Sequence, residues 1–290
     1  MISAELRARL LVAAVGIPVA LLAVYQGGWF LGGLLALVAA ISTREFYLIT
    51  SAGGGLPLGW LGVPAAALLV LLAAHEPIFE VWGDRALAIL LILGLLASLV
   101  VIFYRRIEES PLLSVVATVF GPLYTGGTLS FAVLLRHLPE TQGTPSPPAL
   151  EGTLLVLLPL LVTWAGDSAA YFIGRKLGRT RLAPRVSPGK TVEGGVAGLV
   201  AATAMGILAG LVLEDSATLP VSPVAGGVIG LILGVAGQLG DLTESLFKRE
   251  AGVKDSGTLL PGHGGALDRF DALFFTIPLA YVLILLTGRL

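Results

Sequence analysis

Nine stretches of roughly 18 to 24 mostly apolar residues follow one another along this chain, at about 9–26, 28–49, 57–75, 86–104, 112–135, 152–174, 192–213, 224–247 and 267–288. Each is long enough, or nearly so, to cross the hydrocarbon of a bilayer, which takes about 20 apolar residues as a helix. Inside lipid the backbone must satisfy its own polar groups, so spanning segments of this length are helical. Only 13% of the residues are charged, against roughly 25% in an ordinary globular domain. The expected fold is therefore all-α, a polytopic integral membrane bundle of about nine transmembrane helices. The fifth stretch is interrupted by Gly121, Pro122, Gly126 and Gly127. Arg7 and Arg9 precede the first stretch in the manner of a signal peptide, but no small-residue cleavage site follows it.

Charge orients the bundle. With the N-terminus in the cytoplasm and nine alternating spans, 15 of the 18 lysines and arginines fall on the inner side. Only Arg85, Arg136 and Arg289 fall outside. Cytoplasmic loops carry such an excess, so the split predicts a cytoplasmic N-terminus. The net charge of -1 gives no bias toward nucleic acid, and the absence of cysteine excludes disulfides and thiolate metal sites. No repeat of solenoid length is evident. The chain reads as one membrane domain, 1–290. Its plain N-terminal helices (1–138) are separated by "PETQGTPSPPAL" from a motif-rich C-terminal part (151–290).

Polar residues gather in two inner segments of that second part. Asp268 and Asp271 are three apart at the start of the last stretch, a spacing that puts both carboxylates on one face of a continuous helix. Asp241 and Glu244 repeat the spacing near the end of the eighth. Carboxylates aimed at one place stay ionised together with a cation between them, and oxygen ligands select Mg²⁺, Mn²⁺ or Ca²⁺. An isolated pair is as well explained by helix capping and a nearby base. Asp241 differs, because "GVAGQLGDL" sets it at the polar edge of a span, where an ionisable group is costly. Asp167, with Ser168 and Tyr171, forms a polar stripe in the sixth stretch, suited to a ligand or to a hydrogen bond between helices.

His263 stands in "GHGG", where glycines let backbone amides approach phosphate. Arg175, Lys176, Arg179, Arg181, Arg185 and Lys190 make a basic surface, although inner loops are basic in any case. "SPGKT" (187–191) looks like the tail of a P-loop, but Pro184 stands where that motif needs glycine. Lys190 and Thr191 precede a helix start, a natural place for an anion. Gly226, Gly230 and Gly234, spaced by four, predict one closely packed face on the eighth helix.

The segment "SLFKREAGVKDSGTLLPGHGGALDRFD" (245–271) closely resembles the signature of the CDP-diacylglycerol synthases, or phosphatidate cytidylyltransferases. Ser245, Lys248, Arg249, Lys254, Asp255, Gly257, Pro261, His263, Gly264, Gly265, Asp268, Arg269 and Asp271 all fit its pattern. "GDSAAYFIGRKLGRTRLAPRVSPGKTVEG" is similar to that family's other cytoplasmic segment. The resemblance implies transfer of a cytidylyl group from CTP to phosphatidate, giving CDP-diacylglycerol and pyrophosphate for phospholipid synthesis. It implies Mg²⁺ or another hard divalent cation, with a second allowed, on Asp241, Asp268, Asp271 and Asp167. Lys254 and His263 would join the three first aspartates in catalysis. Ser187, Lys190, Thr191, Lys248, Arg249, Gly264, Gly265 and Arg269 would bind substrate. The expected setting is a bacterial inner membrane among its lipids, the active site facing the cytoplasm, with small-residue faces that permit a homodimer. Two rivals remain at this point: CTP-dependent activation of another lipid phosphate, of isoprenoid type, and a cation-coupled transporter.

Overall fold

A computed structural model describes residues 4–142, 149–216, 218–257 and 264–287, with side chains from Ala14 onward. His263 lies outside the described residues. The helices, in order, are α1 (Ala4–Gln26), α2 (Gly28–Ala52), α3 (Gly59–His75), α4 (Phe79–Tyr104), α5 (Pro111–Pro122), α6 (Thr128–Thr141), α7 (Ala149–Leu177), α8 (Val192–Leu213), α9 (Pro223–Glu250), α10 (Leu267–Phe270) and α11 (Leu273–Thr287). Among the described residues, seven helical segments are long and apolar enough to cross a membrane; α3 (Gly59–His75) and the Ala14–Gln26 part of α1 are shorter apolar helices. Where the fifth stretch was expected to break, a π-helical turn, Leu123–Gly127, joins α5 to α6. Gly126 is needed there, since a Cβ would fall 2.7 Å from the Ala66 Cα.

The fold is not purely helical. Arg181–Ala183 (β1) and Ser187–Thr191 (β2) form a short antiparallel ribbon, pairing Arg181 with Thr191 and Ala183 with Ser187. Pro184 and Pro188 bar a helix there, and extended backbone is their natural state. The last stretch also departs from expectation. The helix stops at Phe270 and resumes at Leu273, so the one-face argument for Asp268 and Asp271 does not hold. The Ala272 amide is taken by the Asp271 side chain at 2.7 Å, a local bond that competes with the helical ladder.

The chain divides into two compact units, Met1–Leu134 with Phe247–Phe270, and Leu135–Leu246 with Asp271–Leu290. Most of the signature segment thus packs with the plain first helices. In that first unit the rings of Phe46, Phe120, Tyr124 and Phe247 form a cluster with centroids 5.5 to 6.5 Å apart. Phe247 in this way ties the start of the signature to α2 and α5. Ile102 and Phe103 of α4 are over 70% exposed, an apolar surface suited to lipid.

The second unit is assembled on glycine. Gly226 and Gly230 of α9 meet α8 at Gly206, where a Cβ would fall 2.8 Å from the Gly230 Cα. A Cβ on Gly234 would fall 2.8 Å from the Ala202 Cβ. The closely packed face expected from the four-residue spacing is thus spent inside one chain. On the other side of α8, Gly194 and Gly198 meet Ala170 and Gly166 of α7.

Candidate active site

In the first unit the signature folds around two carboxylates. Asp268 lies in α10, just after the Gly264–Gly265 turn. Its Oδ2 accepts the amides of Gly265 at 2.9 Å and Ser256 at 3.1 Å. Its Oδ1 accepts Lys248 Nζ at 2.6 Å. Both partners of this ion pair are little exposed, 12% for Lys248 and 13% for Asp268. Gly264 has φ +81°, a left-handed conformation that side chains disfavour, and a Cβ there would crowd Asp268 Oδ2 at 3.0 Å. The second carboxylate is Glu45 of α2, 3% exposed. Its Oε2 accepts the Leu267 amide at 2.7 Å and the Ser256 hydroxyl at 3.3 Å. Arg249, Lys254 and Arg269 lie at the exposed surface, and Arg249 Nη1 reaches the Val253 carbonyl at 3.5 Å.

The second unit repeats the lysine–aspartate pairing with different residues. Lys190 Nζ of β2 meets Asp241 Oδ2 of α9 at 2.6 Å, both partly exposed. Ser245 Oγ, one turn along α9, donates to Asp241 Oδ1 at 3.4 Å. Asp167 of α7 is exposed and close enough to feel the charges of both Asp241 and Lys190. Asp271 also comes near, because Gly240 has no side chain: a Cβ there would lie 2.7 Å from the Asp271 carbonyl oxygen. Gln238, one turn before Asp241, donates from Nε2 to the Gly195 carbonyl at 3.0 Å and locks α9 to α8.

The helix start after Lys190 is capped from within the chain. Thr191 Oγ1 accepts the Gly194 amide at 3.2 Å, and the Val192 amide donates to the Thr180 carbonyl at 2.9 Å. Glu193 reaches back to the amides of Arg179 and Thr180, both at 3.1 Å. Thr191 is therefore a buried helix cap, and the open N-terminus expected there is a correction to the sequence reading. Ser187 opens β2 half-buried.

Asp167, Asp241, Asp271 and Lys190 thus gather in one unit, and Lys248, Asp268, Gly264 and Gly265 in the other. Among the described residues, no three histidine, aspartate or glutamate side chains are grouped into a ready metal cage. Sequence reasoning passed over Glu45, although an ionisable residue within an apolar stretch is a standing signal of function. Gln238, Ser256 and Glu193 carried no such signal.

The chain as a whole is similar to known proteins. Residues 7–287 match the model of the cytidylyltransferase family. A phosphatidate cytidylyltransferase of Synechocystis sp. is 34% identical over 294 residues, covering 96% of each chain. That of Bacillus subtilis is 34% identical over 257 residues, 88% of this chain and 86% of the relative. That of Haemophilus influenzae is 47% identical over 131 residues, 44% of each chain.

Proposed function

This chain belongs to the cytidylyltransferase family, and from that premise we propose that it moves a cytidylyl group from CTP to phosphatidate, releasing pyrophosphate. It is an enzyme, a nucleotidyltransferase, carried by an integral membrane protein of bacterial type. The observation that carries the reading is the pair of lysine–aspartate contacts at 2.6 Å, Lys190 with Asp241 and Lys248 with Asp268. Lys190, Lys248 and Asp268 come from the two motif segments, and Asp241 lies four residues before the second. A protein that handles two polyanions needs cations for the phosphates, and pairing with aspartate keeps these lysines in place until the phosphates arrive.

In this reading the phosphate of phosphatidate attacks the α-phosphorus of CTP and pyrophosphate leaves. Such transfer depends on positioning and charge neutralisation. Lys248, Arg249, Lys254 and Arg269 steady phosphates in the first unit, beside Gly264 and Gly265, although the Gly265 amide is already taken by Asp268. Lys190 and Ser187 do so in the second, with Thr191 holding β2 to α8. His263 is assigned to catalysis on the motif resemblance alone. A phosphate monoester is already largely ionised near neutral pH, so no separate base is required.

The donor set suits Mg²⁺ or a similar hard cation. It consists of carboxylate oxygens, and Asp167 and Asp241 share the field of one lysine. Mg²⁺ is ordinarily held by one or two carboxylates and substrate phosphates. Asp241, Asp167 and Asp271 are the candidates to hold it in the second unit; in the first, Asp268 would hold a second cation on giving up Lys248. The metal supplies charge neutralisation on the triphosphate.

Purified protein given CTP and a panel of lipid phosphates should form CDP-diacylglycerol and pyrophosphate in equal amounts from phosphatidate. Product from an isoprenyl phosphate alone would transfer the assignment to that substrate class. Neither product, with cation flux in sealed vesicles, would replace the enzyme by a transporter.

We further propose nine spans with a cytoplasmic N-terminus and the active site facing the cytoplasm of the inner membrane. The 15-to-3 charge split supports this. The chain has no cysteine, so single cysteines report sidedness without background. Cysteines at the exposed positions Arg185 and Asp255 should label only from the cytoplasmic side, and one at Gln142 only from the other. Labelling of Asp255→Cys from outside would break the topology. A homodimer draws no support from Gly206, Gly226 and Gly230, since these pack against one another within the chain.

A further inference from the structure

We propose that Glu45, far from the motifs in sequence, is a positioning residue for the transfer reaction: its buried carboxyl group is the peg that holds both flanks of the signature loop. The proposal rests on the cytidylyltransferase reading for its kinetic consequences, and on geometry alone for its structural ones.

A carboxyl group within a membrane helix is costly unless its oxygens find donors. Glu45 is 3% exposed, and among the described residues its donors come from the signature. The Leu267 amide donates to Oε2 at 2.7 Å and the Ser256 hydroxyl at 3.3 Å. Two signature glycines make room for it. A Cβ on Gly257 would lie 2.5 Å from Oε1, and one on Gly265 would lie 2.5 Å from Oε2. Backbone from before and after residues 258–263 therefore closes on one side chain of α2.

The same two flanks hold Asp268. Ser256 and Gly265, whose neighbours enclose Glu45, send their own amides to Asp268 Oδ2 at 3.1 and 2.9 Å. Asp268 in turn fixes Lys248 at 2.6 Å. Glu45 bonds to neither Asp268 nor Lys248 in this sequence of contacts; it acts on them through the backbone of 256–257 and 265–267. The role differs from that of a helix-packing residue. A glutamine of the same shape could fill it, because a carboxamide oxygen also accepts the Leu267 amide. An alanine could not.

The test uses the full chain in detergent, with three variants and two readouts. Glu45→Ala should lower kcat for cytidylyl transfer about tenfold, the lower end for loss of an orienting partner, and Glu45→Gln should restore it to within about threefold. Lys248→Ala should cost more by itself, and adding Glu45→Ala should make it no worse, because the peg acts through that lysine. Hydrogen exchange needs no activity. Amides of 254–257 and 264–270 should exchange faster in Glu45→Ala than in the unaltered chain or Glu45→Gln, while α8 and α9 keep their protection. If Glu45→Ala proves too unstable to purify, Ser256→Ala removes one of the two bonds and should show the same exchange pattern in weaker form. Unchanged exchange in the flanks, additive effects of Glu45→Ala and Lys248→Ala, or a glutamine variant as damaged as alanine would each overturn the proposal. Absence of any transfer in the unaltered chain would instead sink the enzymatic reading and leave the exchange result to decide the peg.

Discussion

Asp241→Ala should lower turnover on the order of a hundred- to a thousandfold, the scale for removing a group that stabilises charge developing in a transition state, while the protein still inserts and folds. Folding should survive because the side chain is 36% exposed and packs no core. The close contact of α9 with the Asp271 carbonyl is made by Gly240, which the substitution leaves alone. Two roles have to be separated. Asp241 pairs with Lys190, so its loss also releases that lysine. If pairing were its whole function, Asp241→Ala and Lys190→Ala would cost the same and the double variant no more. If Asp241 also holds a cation, it should cost more than Lys190→Ala, and Asp241→Asn should shift the Mg²⁺ concentration needed for half-activity upward. Asp268→Ala is a less clean experiment, because that carboxylate also accepts the amides of Ser256 and Gly265; activity and loop order should fall together. Near-normal turnover after alanine replacement at Asp241, Asp268 and Asp271 alike would end the metal assignment.

The helices were legible because lipid imposes a length and a hydropathy that survive in any local context. The stretch read as 192–213 is α8 to the residue, and 28–49 became Gly28–Ala52. An interruption of the fifth stretch was read from its glycines and proline, though not its π-helical form at Leu123–Gly127. What escaped has a physical reason in each case. A ribbon of three and five residues, with Pro184 and Pro188 within and beside it, has no alternation long enough to register. The break after Phe270 has no glycine or proline to announce it; it comes from one side chain, Asp271, bonding the next amide. Thr191 held its expected place beside Lys190 but was read as part of an anion site, although a threonine before a helix is a cap first. Most of the candidate site residues were proposed from motif segments. Glu45 was not, because the motif covers only the later part of the chain, and the carboxyl group that organises it comes from α2. A membrane span with one unexplained acid was the available clue.

The basic segment gives the second large effect. Lys190→Ala should lower catalytic efficiency roughly ten- to a hundredfold, the value of one charge-assisted contact to phosphate at about 1.5–3 kcal/mol. Arg179→Ala should do little. The geometry separates the two residues. Lys190 sits in β2, 25% exposed, aimed at Asp241 and within the field that also reaches Asp167. Arg179 lies at the exposed surface, and its tie to the fold is a backbone amide donating to Glu193, which alanine would keep. An exposed arginine of this kind contributes attraction to anionic lipid and little else. The kinetic signature should be specific as well as large. If Lys190 meets the triphosphate, its loss should raise KM for CTP more than KM for phosphatidate; if it meets the lipid phosphate, the order reverses. If Lys190 serves only to hold Asp241, both KM values should stay put and kcat alone should fall, with nothing further lost on adding Asp241→Asn. Varying CTP and phosphatidate in turn at saturating metal distinguishes the three. Equal and small losses for Lys190→Ala and Arg179→Ala would reduce the ribbon's charge to a topology signal, and the pairing at 2.6 Å would then be a surface ion pair like any other.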